Sequence, residues 1–202
     1  MANEHYFSAD PQSELRIRTI QATIAGRSVE LSTANGVFSP ERIDQGTQVL
    51  LSSATAPPPG GNLLDLGCGW GPIALTLASE SPNATVWAVD VNERSLDLTR
   101  RNASVMGLTN INACLPADVP SDLQFDAIWS NPPIRVGKDE LHGMLSFWLP
   151  RLAAGGEAWL VVAKHLGAES LQKWLGEEMP SDISFGRAAT SKGFRVLRGR
   201  RN

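Results

Sequence analysis

Cysteine is scarce in this chain. There are two in 202 residues, Cys68 and Cys114, too few for a disulfide framework and at no metal-site spacing. The three histidines, His5, His142 and His165, lie far apart in sequence. No convergent ligand set is advertised, so metal-free chemistry is expected. No stretch approaches the roughly 18 apolar residues of a membrane span. The start, MANEHYFSAD, lacks the basic-then-apolar order of a secretion signal. A soluble cytoplasmic protein with no membrane partner is the expectation. Internal repeats are absent, and the only low-complexity stretch is a short proline run.

What is present suits a globular fold. Hydrophobic residues make up 42% of the chain and charged residues 19%, enough to build one sizeable domain or a domain with an appendage. Net charge is −3, a weak argument against a nucleic-acid partner. The average hides an asymmetry. From Gly186 onward there are six basic residues (Arg187, Lys192, Arg195, Arg198, Arg200, Arg201) and no acid, which leaves 12 basic against 21 acidic residues, a net −9, in the remainder. A basic end on an acidic body can contact phosphate, or it can be a solvated terminal strand.

The stretch Ala56–Gly61, APPPGG, divides the chain. Before it, residues 1–56 read as an extension: two short strands around Ala25–Gly26–Arg27, a loop, and a helix from about Gly46. After it, residues 61–202 read as one compact unit in which strands and helices alternate. NLLDLG, TVWAVDV, NINACLPAD, FDAIWSN, EAWLVVAK and GFRVLRG are strands. PIALTLASE, ERSLDLTRRNASVMG, AESLQKWLGEEM and the whole of KDELHGMLSFWLPRLAAGG are helices, with Asn92 as an N-cap and Gly107 as a stop. That alternation predicts βαβ units, hence an α/β fold with a mostly parallel, doubly wound sheet.

Such sheets bind ligands at the carboxyl ends of their strands. The first strand of the body ends in LDLGCGWGP, where Gly67, Gly69 and Gly71 let backbone pass close to a ligand. The spacing is not the G-x-G-x-x-G of dinucleotide folds. An acid, Asp65, stands two residues before the first glycine. It would repel a pyrophosphate and attract a cation, and S-adenosylmethionine carries an ammonium and a sulfonium with no phosphate. Asp90 follows about 20 residues later, the spacing at which a strand-end carboxylate reaches ribose hydroxyls. Asp118, near the end of the next strand, is placed to reach the adenine amino group.

These blocks, LDLGCGWG and VDVN above all, resemble class I S-adenosylmethionine-dependent methyltransferases over about residues 60 to 165. The resemblance implies a Rossmann-like, seven-stranded sheet. It implies S-adenosylmethionine as cofactor, held by Asp65, Gly67, Cys68, Gly69, Gly71, Asp90, Val91, Asp118 and Asn131. The fourth strand then delivers NPPI, Asn131 to Ile134, into the same mouth. The lone pair of an exocyclic or amide nitrogen is delocalised. Two acceptors that bind its N–H hydrogens in one plane turn that lone pair towards the methyl group. The Asn131 side-chain carbonyl and the Pro132 backbone carbonyl are candidates for that task, and Pro132 and Pro133 stiffen the loop. NPP followed by an aromatic marks methyltransferases of planar nitrogens; here Ile134 replaces the aromatic.

A narrower resemblance runs through HYFS (His5–Ser8), GVFSPERIDQGTQVLL (Gly36–Leu51) and SNPP. Together they look like the catalytic half of the small-domain methyltransferases, which include ribosomal RNA guanine-N2 methyltransferases of the small subunit. This implies ribosomal RNA or the small ribosomal subunit as partner, with Phe38, Ile134 and Arg135 towards substrate and Asp44 and Thr47 beside the mouth. Where those enzymes continue aromatic–His, this chain has Ile134 and Arg135. Arg135 and Lys138 are candidates for phosphate contact or solvated charges. A protein glutamine-amide methyltransferase and a non-catalytic S-adenosylmethionine-binding module remain as alternatives. Lys164 and His165 fall at a strand end with no assigned role.

Overall fold

A computed structural model describes residues 14–202. The HYFS motif at His5–Ser8 lies outside the described residues. An antiparallel hairpin comes first, β1 (Ile17–Ile24) and β2 (Arg27–Ala34), turning at Ala25–Gly26 as expected. Helix α1 (Gln45–Ser53) follows. The chain then alternates through β3 (Gly60–Leu66), α2 (Pro72–Glu80), β4 (Asn83–Val89), α3 (Glu93–Met106), β5 (Ile111–Cys114), β6 (Phe125–Ser130), α4 (Lys138–Trp148), β7 (Leu152–Ala163), α5 (Ala168–Glu178), β8 (Ile183–Ser191) and β9 (Phe194–Arg201).

Strands β3 to β9 form one seven-stranded sheet in the order β5-β4-β3-β6-β7-β9-β8. The first five run parallel, β9 is antiparallel to them, and β8, antiparallel to β9, forms the edge and runs in the same direction as the five. The chain enters at the centre with β3, winds outward to β5, and returns to β6 on the other side of β3. The order therefore reverses between β3 and β6, the crevice where doubly wound sheets bind ligands.

Alternation along the strands sorts the core onto both faces of the sheet. Leu64 and Leu66 join Leu141, Leu145 and Trp148 of α4 and Leu171 and Leu175 of α5. Leu63 faces the other way, with Val49 and Leu50 of α1 and Ile73, Ala74 and Leu77 of α2. A third cluster packs Ile24 and Leu31 of the hairpin against Trp70, Leu75, Leu98 and Ala103.

Two helix limits follow from local chemistry as read. Asn92 accepts from the Arg94 N–H at the start of α3, and Gly107 ends it in the left-handed conformation. The expected long helix through KDELHGMLSFWLPRLAAGG is a correction. It stops at Trp148; a single 3-10 turn spans Leu149–Arg151, and β7 already begins at Leu152. Pro150 cannot donate in a helix interior. The glycine pair lies inside the strand instead, at a shift in the β6–β7 register. A Cβ on Gly156 would meet the Ala153 and Phe125 carbonyl oxygens at 2.9 and 3.0 Å. Strand β8 was not among the expected strands, because ISFGRAATS is mostly exposed and has no apolar alternation.

The basic end is partly neutralised within the fold. Arg195 pairs with Glu169 at 2.8 Å, Arg201 with Asp182 at 2.7 Å, and Arg198 with Glu157 while lying over the Trp159 ring. Half of that cationic surplus is thus already committed to acids of the body.

Candidate active site

The loop after β3 is shaped by its neighbours. Gly67 and Cys68 donate to the Val89 carbonyl at the end of β4, and Gly69 donates to Asp90 Oδ2 at 2.9 Å. Asp90 Oδ1 accepts from the Asn92 N–H at 2.9 Å. Burial nevertheless raises the Asp90 pKa above the usual carboxylate value. Gly67 and Gly69 have φ of 79° and 56°, and a Cβ on either would point into open space. Both line a cavity of about 650 Å³. Gly71 does different work: a Cβ there would meet Thr99 Oγ1 at 3.0 Å, so it serves close packing of α2 on α3.

Asp65 does not face this cavity. It is fully buried, and its Oδ2 accepts from the Ala74 N–H at 2.8 Å in the first turn of α2. Its other oxygen has no hydrogen-bond partner, and desolvation raises its pKa to about 8. The expected direct attraction of a ligand cation by Asp65 thus has no geometry here; its contact is with the helix N-terminus. Cys68 is also buried, and burial holds its thiol well above its ordinary pKa, so it is not a thiolate nucleophile. Asp118 sits exposed on a 3-10 turn and does not line the cavity, although Pro116 of that turn does.

The remaining candidates converge. Phe38, Asp44, Asp90, Val91, Asn131, Pro132, Pro133, Ile134, Arg135 and His165 all line the one cavity, whereas Thr47, Lys138 and Lys164 do not. Ser130 Oγ donates to the Leu66 carbonyl at 2.6 Å, which ties the end of β6 to the end of β3. Asn131 then reaches across to α1. Its Nδ2 donates to Asp44 Oδ2 at 2.9 Å and to Thr47 Oγ1 at 3.1 Å. Asp44 also caps α1, accepting from the Gly46 N–H at 2.8 Å. After Asn131 the chain makes a tight turn in which the Ile134 N–H donates to the Pro132 carbonyl at 2.9 Å. Pro133, at φ −74° and ψ 75°, has the inverse γ-turn conformation. That carbonyl keeps a second lone pair.

The segment carrying Phe38 is held by polar ties to the body. Buried Asn102 accepts from the Ser32 N–H and donates to the Ser32 and Trp70 carbonyls. Asn92 donates to the Gly36 carbonyl, Arg94 to the Asn35 carbonyl, and the Trp70 indole N–H to the Ser39 carbonyl. Phe38 is consequently 37% exposed at the cavity rim and is no core residue.

Glu140, Met144 and Trp148 of α4 and Phe194 of β9 also line the cavity. Sequence reasoning missed them. Met144 and Trp148 lie four residues apart and read simply as the apolar stripe of a helix.

The residues fit S-adenosylmethionine. Two glycines without side chains and a strand-end carboxylate, Asp90, border a cavity of ligand size at the switch point of the sheet. Fold and site together are those of a Rossmann-like, S-adenosylmethionine-dependent methyltransferase. The comparisons narrow the class. The family model described as the methyltransferase small domain matches residues 28–198, and the chain belongs to that family.

The chain is 34% identical to the uncharacterized protein YbxB of Bacillus subtilis, over 98% of this chain and 99% of that protein. It is 31% identical to ribosomal RNA small subunit methyltransferase C of Acinetobacter baumannii, over 92% of this chain and 55% of that enzyme. The chain spans between a third and just over half of the methyltransferases C that it matches. In fold it is similar to a T. thermophilus 16S rRNA N2 methyltransferase (RsmC), solved with AdoMet and guanosine, with a TM-score of 0.80 and 24% identity over 96% of this chain and 52% of that one. Among the described residues, no helix is long and apolar enough to cross a membrane.

Proposed function

We propose that the enzyme methylates the exocyclic amino group of a guanine in ribosomal RNA. The observation that carries this reading is the state of Asn131. Both hydrogens of its amide are taken by Asp44 and Thr47, so the atom left to act at the cavity is the carbonyl oxygen. An acceptor at that place suits a target that donates, as an amino group does.

S-adenosylmethionine supplies an electrophilic methyl group when bound. The chain supplies the rest. Gly67 and Gly69 allow close approach, and Asp90 and Val91 border the cofactor side. Asn131 Oδ1 and the free lone pair of the Pro132 carbonyl accept the amino hydrogens and favour the positive charge that grows on nitrogen. The proton leaves after transfer, so no strong base is needed. A guanine edge offers donors at N1 and N2, and Glu140 adds a further acceptor to the same wall. Ile134 packs on the base, which must be unpaired or flipped out to enter. Arg135 lies exposed beside the loop, where phosphate can reach it. The names of the methyltransferase C relatives support ribosomal RNA as the substrate.

Transfer of a labelled methyl group tests this, with ribosomal RNA, small subunits and total protein offered in parallel. Label recovered as N2-methylguanosine is the expected result. Label confined to protein would overturn the reading in favour of glutamine-amide chemistry.

A further inference from the structure

The hydrogen bonds around Asn131 carry a consequence for residues on a distant stretch of the chain. We infer that Asp44 and Thr47 are positioning residues, which lock the Asn131 amide with its NH2 group towards α1 and its carbonyl towards the substrate. The inference rests on the reading that Asn131 meets the target nitrogen.

An asparagine amide is nearly symmetric in shape, and a half-turn exchanges its acceptor for a donor. At this cavity the wrong orientation would point N–H at N–H. The barrier to that error comes from 84 and 87 residues upstream. An ionised carboxylate only accepts, so Asp44 admits the NH2 side and rejects the oxygen. Thr47 Oγ1 takes the second hydrogen. Asn131 Oδ1 makes no hydrogen bond to the described residues. Withdrawing both amide protons towards acceptors also shifts electron density onto that oxygen, which strengthens it as an acceptor when charge develops.

The support is itself rigid. The same Asp44 Oδ2 accepts from Gly46 N–H and, at 3.4 Å, from Thr47 N–H, so the first turn of α1 fixes its direction. Thr47 is buried. Gly46 is small for a reason: a Cβ there would lie 2.9 Å from both Asp44 Oδ2 and the Phe194 ring. The D-x-G-T order is therefore one device, in which a helix cap doubles as the clamp on an active-site amide.

Asp44→Asn keeps a good cap but can present its own NH2 to Asn131. Thr47→Val keeps shape and removes one acceptor. In both, kcat is expected to fall, by about 100-fold and about 10-fold respectively, the scale of losing one preorganised group or one hydrogen bond. Binding of S-adenosylmethionine, measured by calorimetry, is expected to change less than about two-fold, an order-of-magnitude bound on an undisturbed site. Thr47→Ser restores the rate. In 15N–1H spectra of the uniformly labelled protein, the Asn131 side-chain pair is expected to be shifted and slow to exchange in wild type, and to lose that protection in Thr47→Val.

Unchanged kcat in both variants, or lost activity with an unmoved Asn131 amide signal, would overturn the positioning role. Asn131→Ala separates the two levels. If it keeps the wild-type rate, the underlying reading of Asn131 fails. If it is inactive while Asp44→Asn and Thr47→Val are not, only the clamp fails.

Discussion

The two walls of the cavity are built by different means. The wall proposed for the cofactor is local. Gly67, Gly69, Asp90 and Val91 lie just past the ends of two adjacent parallel strands, β3 and β4, and backbone N–H groups of the glycine loop tie the two ends together. The wall proposed for the substrate is assembled from distant pieces: Phe38 and Asp44 from the N-terminal region, the NPP loop after β6, Glu140 from α4, and His165 beyond β7. A wall built from two neighbouring strand ends tolerates change elsewhere in the chain. A wall built from four separate pieces depends on how those pieces pack.

The largest expected effect concerns neither wall but the residue beneath the local one. Burial raises the pKa of Asp65 from the ordinary 3.8 to about 8 in the folded state. Between those values the folded state holds a proton that the unfolded state has released. Its contribution is therefore full below about pH 4 and is lost as pH rises through 8. At about 1.4 kcal/mol per unit, the change is on the order of 6 kcal/mol. Urea unfolding of wild type and Asp65→Asn across that range measures it; the variant, neutral throughout, should gain stability relative to wild type as pH rises, and a constant difference would show that Asp65 does not titrate this way.

Next comes Asn131→Ala, which breaks the assembled wall alone. It is expected to cost about 10² to 10³ in kcat with cofactor affinity retained. Asp90→Ala breaks the local wall alone. It should weaken S-adenosylmethionine binding by about 10- to 100-fold, the worth of one or two charge-assisted hydrogen bonds. If each variant damaged both functions equally, the two walls would not be separable. The smallest effect tests the tie between them. Asn102→Ala removes three buried hydrogen bonds that join β2, the glycine loop and α3. It is expected to lower stability by about 2 kcal/mol in thermal or urea unfolding, with residual activity in the folded fraction.

The contrast between the walls also explains what could be read in advance. LDLGCGWG and Asp90 were legible because a strand, a glycine turn and a second strand lie within some 25 residues and obey local geometry. NPPI was legible because two prolines at a strand end have few bland explanations. The sequence shows which strand carries Asp65 but not what it meets: alternation turns it onto the α2 face, where it accepts from the Ala74 N–H. The helix after Gly137 was drawn too long because Leu149 and Leu152 continue an apolar pattern, while Pro150 ends the hydrogen bonding. Neither reading of the basic end, phosphate contact or solvated strand, anticipates its ion pairs, because partners such as Glu157 and Glu169 are invisible to a composition count.

By itself, the sequence determined the α/β order, the glycine loop and its ligand class, and the NPP loop, because each follows from backbone chemistry over a few residues. Only the tertiary structure decided which acid lines the cavity, which arginines are already paired, and that Asp44 and Thr47 hold the Asn131 amide. Those depend on which side chains the packed sheet brings within 3 Å or so of one another, and hydrogen bonds act only at that range.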